Sequence, residues 1–462
     1  MSKSNSFLIK NATVVTPDKA EIGDVLVNDG IISAIVPKTD CSKSDCCSSD
    51  RQKVNSIDAT GLILLPGAID SHVHFHMPTS DGGYNADDFY SGTKGAICGG
   101  TTTIIDFASP IQDKNWIDAI NKRRADADGK TFCDYQLHME VTGAFPQDYS
   151  TLKEIKSEGL KVLKVYTTYG NDMLSYEQLS KLYGQAKEDG FSILAHCEDD
   201  NILNNAKNRL INKGQTAAKF HPKARPPEAE VFAVKKLIEL CEKSGVPTII
   251  AHISTAEAAL LVKAAKKRGV LVYAETCPHY LLLNERVYSG LAPERYIMSP
   301  PLRTEKDSET LMNLVASGDI SVISTDHCPF NLSDKLKKPS CFEALFGVGG
   351  CENMVSLLFS QGVGKGLITL SEFSKLTSET PARLYGLYPE KGVIEVGSDA
   401  DLILINPNKK RILSAANEKI NADYSIWEGT EVNCSVEMVF LRGVLVALKN
   451  KIQSEPIGIF VN

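Results

Sequence analysis

The pattern of apolar and polar positions divides the chain into three regions. Short strand-like runs fill the first 36 residues, and the Asn28-Asp29-Gly30 turn between two of them predicts a hairpin. These runs are 7–9, 12–16, 24–28 and 31–36. Strand-like runs return after Tyr385, at 393–395, 401–405, 435–442 and 444–448. The simplest arrangement pairs both terminal segments in one small β-sandwich.

The middle of the chain alternates strand-like and helix-like segments. The strand-like runs are 102–107, 162–166, 192–195, 247–250, 270–274 and 322–324. The clearest helix-like stretches are 176–188, 228–244, 256–267 and 307–317. Alternation over about 300 residues predicts a parallel α/β fold, and the number of units favours a (β/α)8 barrel over an open sheet. The expected domains are a barrel at 62–388 and a β-sandwich from 1–61 and 389–462, with a polar insertion at 38–53.

Composition narrows the class of protein. The 462 residues are 43% hydrophobic and 23% charged, which is typical of a folded globular chain. The net charge of −7 comes without a Lys/Arg-rich block, so we expect no nucleic-acid partner. We expect no membrane span either, since no window approaches about 20 apolar residues, and no signal peptide.

The twelve cysteines have irregular spacings in a long chain, which favours reduced thiols in a cytoplasmic protein over a disulfide framework. Cys41, Cys46 and Cys47 lie in the polar insertion. A metal clip there stays open as an alternative, although a fourth ligand is missing nearby.

Candidate chemistry begins at Gly67-Ala68-Ile69-Asp70-Ser71-His72-Val73-His74. Two histidines at positions i and i+2 of a strand project from the same face, as two ligands of one metal would. The apolar run 63–65 before them places them near the end of a first barrel strand, where barrel enzymes build active sites. On a lone strand this pair would be a weak signal.

Three further polar residues also follow strand-like runs: His196, His252 and Asp326. Each alone could be a satisfied core residue, but four strands that end in nitrogen or oxygen ligands together predict a metal centre. Lys164 lies inside an apolar run, where a buried ammonium would be costly. Burial favours the neutral amine, which can react with carbon dioxide to give a carbamate with an oxygen for each of two metals. Lys161, or a surface role for Lys164, is the alternative.

The order of these motifs resembles that of the dihydropyrimidinase and D-hydantoinase family of cyclic amidohydrolases. The matching segments include Met77-Pro78, Asp87-Asp88-Phe89, Gly99-Gly100-Thr101-Thr102, Ala195-His196-Cys197-Glu198, Ala224-Arg225-Pro226-Pro227-Glu228, Glu275-Thr276-Cys277-Pro278, Ser299-Pro300-Pro301-Leu302-Arg303 and Thr325-Asp326-His327-Cys328. The resemblance covers nearly the whole chain. It implies a distorted (β/α)8 barrel with a β-sandwich from both termini, and a homo-oligomer, a tetramer in that family.

The resemblance also implies the roles of eight residues. The ligands of the more buried metal would be His72, His74 and Asp326, those of the second metal His196 and His252, with carboxylated Lys164 between both. Tyr169 would polarise the scissile carbonyl, and Ser299 would hydrogen-bond the ring through its backbone. Asp326 would act as general base and then as general acid. The expected cofactors are two divalent ions, with zinc favoured, and the expected product is an N-carbamoyl amino acid.

Two departures from the family bear on the substrate. The segment Leu345-Phe346-Gly347-Val348-Gly349-Gly350 is more similar to the corresponding loop of dihydroorotases. His76 stands where dihydroorotases have an arginine for the substrate carboxylate, although Arg303 could substitute for it. An allantoinase or a dihydroorotase therefore remains the alternative. A non-enzymatic scaffold like the dihydropyrimidinase-related proteins is disfavoured, because all six ligand positions hold competent residues.

Overall fold

The structure is a computed structural model that describes residues 6–38, 55–79, 82–145, 148–338 and 340–462. The predicted insertion at 38–53, with its three cysteines and the possible metal clip, lies outside these residues apart from Lys38. All nine cysteines of the described ranges are buried and free, as the sequence predicted. Within the same ranges, no helix combines the length and apolarity that a membrane crossing requires.

The strands and helices of the described ranges are numbered in chain order. The strands are β1 (Phe7–Val15), β2 (Ala20–Asn28), β3 (Ile31–Pro37), β4 (Asn55–Asp58), β5 (Ile63–Pro66), β6 (Ala68–Asp70), β7 (Thr101–Ala108), β8 (Asp134–Glu140), β9 (Val162–Tyr166), β10 (Ser192–His196), β11 (Thr248–Ile250), β12 (Val272–Thr276), β13 (Val322–Ile323), β14 (Leu402–Asn406), β15 (Arg411–Ile412), β16 (Glu431–Val432), β17 (Ser435–Leu441), β18 (Val444–Leu448) and β19 (Lys451–Ile452). The helices are α1 (Phe89–Gly99), α2 (Trp116–Ala127), α3 (Lys153–Lys156), α4 (Tyr176–Asp189), α5 (Asp200–Ile211), α6 (His221–Ala224), α7 (Pro227–Ser244), α8 (Ala256–Lys267), α9 (Pro278–Leu282), α10 (Glu305–Ala316), α11 (Leu332–Leu336), α12 (Met354–Leu358), α13 (Leu370–Ser374) and α14 (Thr380–Tyr385).

The barrel consists of eight parallel strands in the order β6 to β13. Its seam lies between the two ends of this series, where a parallel bridge joins Val73 to His327. The backbone N–H of His74 also donates to the carbonyl of His327 at 2.8 Å. The (β/α)8 barrel predicted from the alternating pattern is therefore confirmed, and its seam is tied together beside the candidate ligands.

Both chain termini contribute to a second, nine-stranded sheet. Its order is β19-β18-β17-β14-β5-β1-β2-β3, with β4 also paired to β1. β5 runs antiparallel to β14 and parallel to β1, so it joins the N-terminal strands to the C-terminal strands. This sheet has its own apolar core, which includes Val14, Val25, Leu64 and Leu402. The predicted pairing of both terminal segments is thus confirmed, whereas the domain limits stay a prediction.

The transition from this sheet to the barrel corrects one expectation. Residues 63–65, expected at the first barrel strand, belong to β5 of the terminal sheet, and the first barrel strand is β6. Gly67 separates the two strands, and a Cβ at this position would lie 2.1 Å from the Thr102 side chain. Because only glycine fits this close approach, the chain can leave one sheet and enter the other within a single residue.

Three smaller expectations also differ from the structure. The runs 7–9 and 12–16 form the single strand β1, with a register shift between Ile9 and Ala12. Asn11 lies inside this irregularity at φ 63°, a conformation that asparagine tolerates better than most residues. Residues 393–395 do not form a strand. The sequence pattern also missed the barrel strand β8, whose mixed composition hides the burial of six of its seven residues.

The N-terminal side of the barrel contains a buried charge cluster. The ammonium of Lys391 lies 2.7 Å from Asp134 of β8, 2.8 Å from Asp401 and 3.0 Å from Asp399. Arg442 pairs with the same Asp134 carboxylate. The cluster therefore links the barrel to the C-terminal part of the second sheet.

Removal of the central cation should be strongly destabilising. Lys391→Met leaves three carboxylates close together in a site where Lys391 is only 3% exposed. We expect the free energy of unfolding to fall by about 3–5 kcal/mol, measured by urea denaturation. Lys181→Met is the control, since it removes only an exposed pair with Glu177 and should cost less than about 0.5 kcal/mol. A loss below about 1 kcal/mol in Lys391→Met would contradict this role of the cluster.

Candidate metal centre

Four barrel strands bring candidate ligands to the same end of the barrel. His196 is the last residue of β10, and His252 and Asp326 follow β11 and β13 by two and three residues. His72 and His74 follow β6 in an extended segment, beyond the strand itself. Because the carboxyl ends of parallel strands meet at one rim, these side chains converge there.

The first group of donor atoms comprises His72, His74 and Asp326, whose ligand atoms all lie within 4.8 Å of one another. Nε2 of His74 is 3.2 Å from Asp326 Oδ1, and Nε2 of His72 is 3.5 Å from the same oxygen. His72 is fully buried, and its Nδ1 donates to Glu275 Oε1 at 2.8 Å. Because this hydrogen bond uses Nδ1, the lone pair of Nε2 remains available to the site that His72 shares with His74 and Asp326.

The second group comprises His196 and His252. Nδ1 of His196 lies 3.1 Å from Nε2 of His252. The other nitrogen of His196, Nε2, donates to Glu198 Oε2 at 2.9 Å. Burial lowers the pKa of both imidazoles, so both rings are neutral and can offer lone pairs.

Lys164 lies between the two groups. Its side chain is inside β9 and only 1% exposed, and Nζ is 3.3 Å from Nε2 of His72. Burial lowers the pKa of Lys164, which favours the neutral amine that carbamate formation requires. Lys161 directly precedes this strand, and its ammonium instead donates to the backbone carbonyl of Gly386 at 2.6 Å.

Tyr169 and Ser299 contact each other at the edge of the two groups. The phenol of Tyr169 donates to Ser299 Oγ at 2.9 Å and lies 3.5 Å from Nδ1 of His196. Burial raises the pKa of Tyr169 above its usual value, so the phenol keeps its proton and remains a donor at neutral pH.

Four of the eleven non-glycine residues with positive φ in the described ranges lie at this rim. Positive φ angles occur at His252 (37°), Asp326 (49°), His76 (47°) and Tyr169 (80°). A non-glycine residue in this region costs of order 1–3 kcal/mol and persists where the surroundings hold it in place. The fold thus maintains a costly arrangement at the residues that the sequence marked as functional.

A cavity of about 990 Å³ opens over these residues. The eight predicted site residues all contribute to its wall: His72, His74, Lys164, Tyr169, His196, His252, Ser299 and Asp326. His76 also lines it, with its ring stacked on Tyr84 at 3.9 Å between centroids. The structure therefore brings the whole predicted set together, while the role of each residue stays a prediction.

Arg303, which the sequence offered as a possible carboxylate partner, does not line this cavity. Its guanidinium is 2.9 Å from Ser254 Oγ and 3.7 Å from Glu230. Among the described residues, Arg123 is the arginine of the cavity wall, and Asp106 already binds its guanidinium.

The sequence did not assign roles to the two buried carboxylates behind the histidines. Glu275 is fully buried, holds Nδ1 of His72, and has its pKa raised to about 7 by burial. Burial would likewise raise the pKa of Glu198, but Arg225 and His196 together hold it below its usual value. The sequence did contain one signal for Glu275: it directly follows the apolar residues of β12, where burial of a carboxylate without a partner is costly.

These residues fit two divalent ions. Neutral imidazoles and a carboxylate are suitable ligands, and in both His72 and His196 the nitrogen that faces away from the site is fixed by a carboxylate. Nδ1 of His252 is the exception, since it is buried without a hydrogen-bond partner among the described residues.

Comparisons with known proteins identify the family of this chain. The sequence model of the amidohydrolase family matches residues 63–446 of this chain. A D-hydantoinase of Geobacillus stearothermophilus is 34% identical over 456 residues, which are 97% of this chain and 94% of that protein. A D-phenylhydantoinase of Escherichia coli K12 is 34% identical over 443 residues, 94% of this chain and 93% of that protein.

The fold comparison gives the same result. The crystal structure of a dihydropyrimidinase from Brevibacillus agri superposes with a TM-score of 0.93 at 34% identity, and covers 99% of this chain and 98% of that chain. The chain therefore belongs to the amidohydrolase family, in the branch of the hydantoinases and dihydropyrimidinases.

Proposed function

We propose that this protein opens the ring of a neutral 5,6-dihydropyrimidine or of a 5-substituted hydantoin and releases an N-carbamoyl amino acid. The observation that carries the proposal is the convergence of eight functional side chains on one cavity at the rim of the barrel. Metal-dependent hydrolysis of a cyclic amide is the activity that its family and its relatives indicate.

In this proposal, His72, His74 and Asp326 hold one divalent ion, and His196 and His252 hold the other. Two such ions lower the pKa of a water towards 7 and polarise a carbonyl. Zinc is the metal that suits this set of imidazole and carboxylate ligands best. Convergent donor atoms and neutral imidazoles support these assignments.

Lys164 supplies the remaining ligand as a carbamate. The neutral amine attacks carbon dioxide, a C–N bond forms and a proton is released, which leaves an anion with two oxygens. The 1% exposure of Lys164 and its lowered pKa support this reaction. The distance of 3.3 Å between Nζ of Lys164 and Nε2 of His72 supports a position of the new carboxylate next to the first group of ligands.

Asp326 and Tyr169 move and stabilise the charges of the reaction. Asp326 accepts a proton from the attacking water and donates it to the leaving amide nitrogen, so that the C–N bond breaks as the acid product forms. Tyr169 donates its phenolic proton in a hydrogen bond to the oxygen of the attacked carbonyl. Ser299 contacts the ring through its backbone, and its hydroxyl accepts the Tyr169 hydrogen bond before substrate arrives.

The charge of the cavity favours a neutral ring. A ring carboxylate calls for a cation, and the bidentate fork of arginine is the usual solution. At position 76 this chain has a histidine stacked on Tyr84, and Arg123 and Arg303 are both engaged by carboxylates. Lys122 and Lys338 also line the cavity, but a lysine lacks the bidentate fork of arginine, and the Lys122 side chain is 66% exposed, so its charge is largely solvated.

A substrate panel tests this choice. We expect kcat/KM of the metal-loaded protein to be higher for dihydrouracil or hydantoin than for dihydroorotate, with allantoin as the further comparison. Faster turnover of dihydroorotate would mean that the dihydroorotase-like loop, 345–350, predicts the substrate better than His76 does. No turnover of any of the four rings would contradict the proposed function.

From the family resemblance we further propose a cytoplasmic homotetramer. Light scattering after size-exclusion chromatography measures the number of chains directly, and a monomer in solution would contradict the tetramer.

A further inference from the structure

The motif Ala224-Arg225-Pro226-Pro227-Glu228 was part of the family resemblance, but the proposed mechanism gives it no task. Arg225 lies in the segment between α6 and α7, and its side chain is 11% exposed. Its guanidinium faces Glu198, two residues beyond the candidate ligand His196. The contacts of this guanidinium involve both the surroundings of His196 and the ring of Tyr169.

One edge of Arg225 binds the Glu198 carboxylate. Nε lies 3.1 Å from each carboxylate oxygen, and Nη2 donates to Oε2 as well. The same Oε2 accepts the Nε2 proton of His196 at 2.9 Å and faces the Ser299 hydroxyl at 3.4 Å. These contacts fix the His196 ring with Nε2 turned towards Glu198 and Nδ1 turned towards Nε2 of His252.

The guanidinium of Arg225 also lies over two aromatic rings, within the distance range of cation–π contacts. The guanidinium carbon is 5.4 Å from the ring centroid of Tyr169 and 5.6 Å from that of Phe346. Phe346 belongs to the loop that departs from the family pattern, and its other neighbour is the buried ring of His221, stacked at 5.5 Å. Arg303 donates to the backbone carbonyl of Arg225, which fixes the start of the side chain.

We propose that Arg225 is a positioning residue: it holds Glu198 against His196, and its cation–π contact holds the ring of Tyr169 in place, with a second such contact to Phe346. This inference rests on the proposed function, because Tyr169 matters only if its phenol meets a substrate. In this proposal Arg225 itself does not contact the substrate. The two contacts predict separate effects, since the carboxylate acts on the ligand His196 and the cation–π contact acts on Tyr169.

The substitution Arg225→Lys separates the two effects. Lysine keeps the charge next to Glu198 but lacks the planar guanidinium that contacts the rings of Tyr169 and Phe346. We expect bound metal to remain at about two equivalents while kcat and kcat/KM fall together, about 10- to 100-fold. Glu198→Gln should instead weaken metal retention on dialysis against a chelator by about 10- to 100-fold.

A double-mutant cycle with Tyr169→Phe gives the decisive comparison. If Arg225 acts through the Tyr169 phenol, Arg225→Lys should lose most of its effect on kcat in the Tyr169→Phe protein. Phe346→Leu should give a smaller loss of the same kind, and it tests the ring contacts even if Arg225→Lys folds poorly. Arg383→Lys is the matched control, since Arg383 also pairs with a glutamate, Glu379, and stacks on a tyrosine, Tyr388, at 3.5 Å.

Wild-type kcat in Arg225→Lys or in Phe346→Leu would overturn the inference, as would losses that simply add in the double mutant. Unchanged metal retention in Glu198→Gln would overturn the part that concerns His196. A wild-type protein that turns over none of the rings would refute the proposed function instead, and the metal retention of Glu198→Gln could still be measured.

Discussion

Lys164→Ala should abolish ring opening. The substitution removes the amine of the proposed carbamate, and it would leave the two proposed groups of ligands without an anion between them. We therefore expect turnover to fall to the background rate and bound metal to fall below the wild-type value, measured by a ring-opening assay and by elemental analysis. Added short carboxylic acids should restore a small part of the activity, since they can supply an equivalent carboxylate.

Lys161→Ala is the matched control for this variant. Lys161 lies three residues earlier on the same strand segment, but its ammonium binds the Gly386 carbonyl and does not line the cavity. Near wild-type turnover is expected for it. Wild-type turnover and full metal content in Lys164→Ala would mean that this lysine does not carry the bridging ligand.

Tyr169→Phe should lower kcat by roughly two to three orders of magnitude, because the loss of one donor to a developing oxyanion costs about 2.7–4 kcal/mol in other enzymes. Metal content should not change, since the phenol is not one of the proposed ligands. Stopped assays of the metal-loaded variant against wild type measure this effect.

Tyr183→Phe serves as its control. That phenol is also buried and hydrogen-bonded, at 3.0 Å to Thr248 Oγ1, but it lies on α4 and outside the cavity wall. It should keep the wild-type kcat. Equal kcat in Tyr169→Phe and wild type would mean that Tyr169 contributes only to packing.

Much of the barrel and of the candidate site could be predicted from local sequence. His196, His252 and Asp326 each follow an apolar run, and parallel strands bring such positions to a common rim. Lys164 was predicted to be buried because its neighbours within the strand are apolar, and it is.

Other features depend on contacts between distant parts of the chain. Glu275 and His72 are 203 residues apart, so no local pattern reveals that one fixes the tautomer of the other. The contacts of Arg225 with the rings of Tyr169 and Phe346 likewise come from distant parts of the chain and could not be predicted from local sequence. The first barrel strand was predicted at the wrong residues for a similar reason. The apolar run of β5 is buried in the terminal sheet as fully as a barrel strand would be.

The metal content of the purified protein tests the central claim most directly. Elemental analysis of protein expressed in zinc-supplemented medium should give about two equivalents of divalent metal per chain. Removal of this metal by a chelator should abolish hydrolysis of the preferred ring, and its return should restore it. A folded protein with a reproducible content near zero, or with full activity after metal removal, would contradict the account.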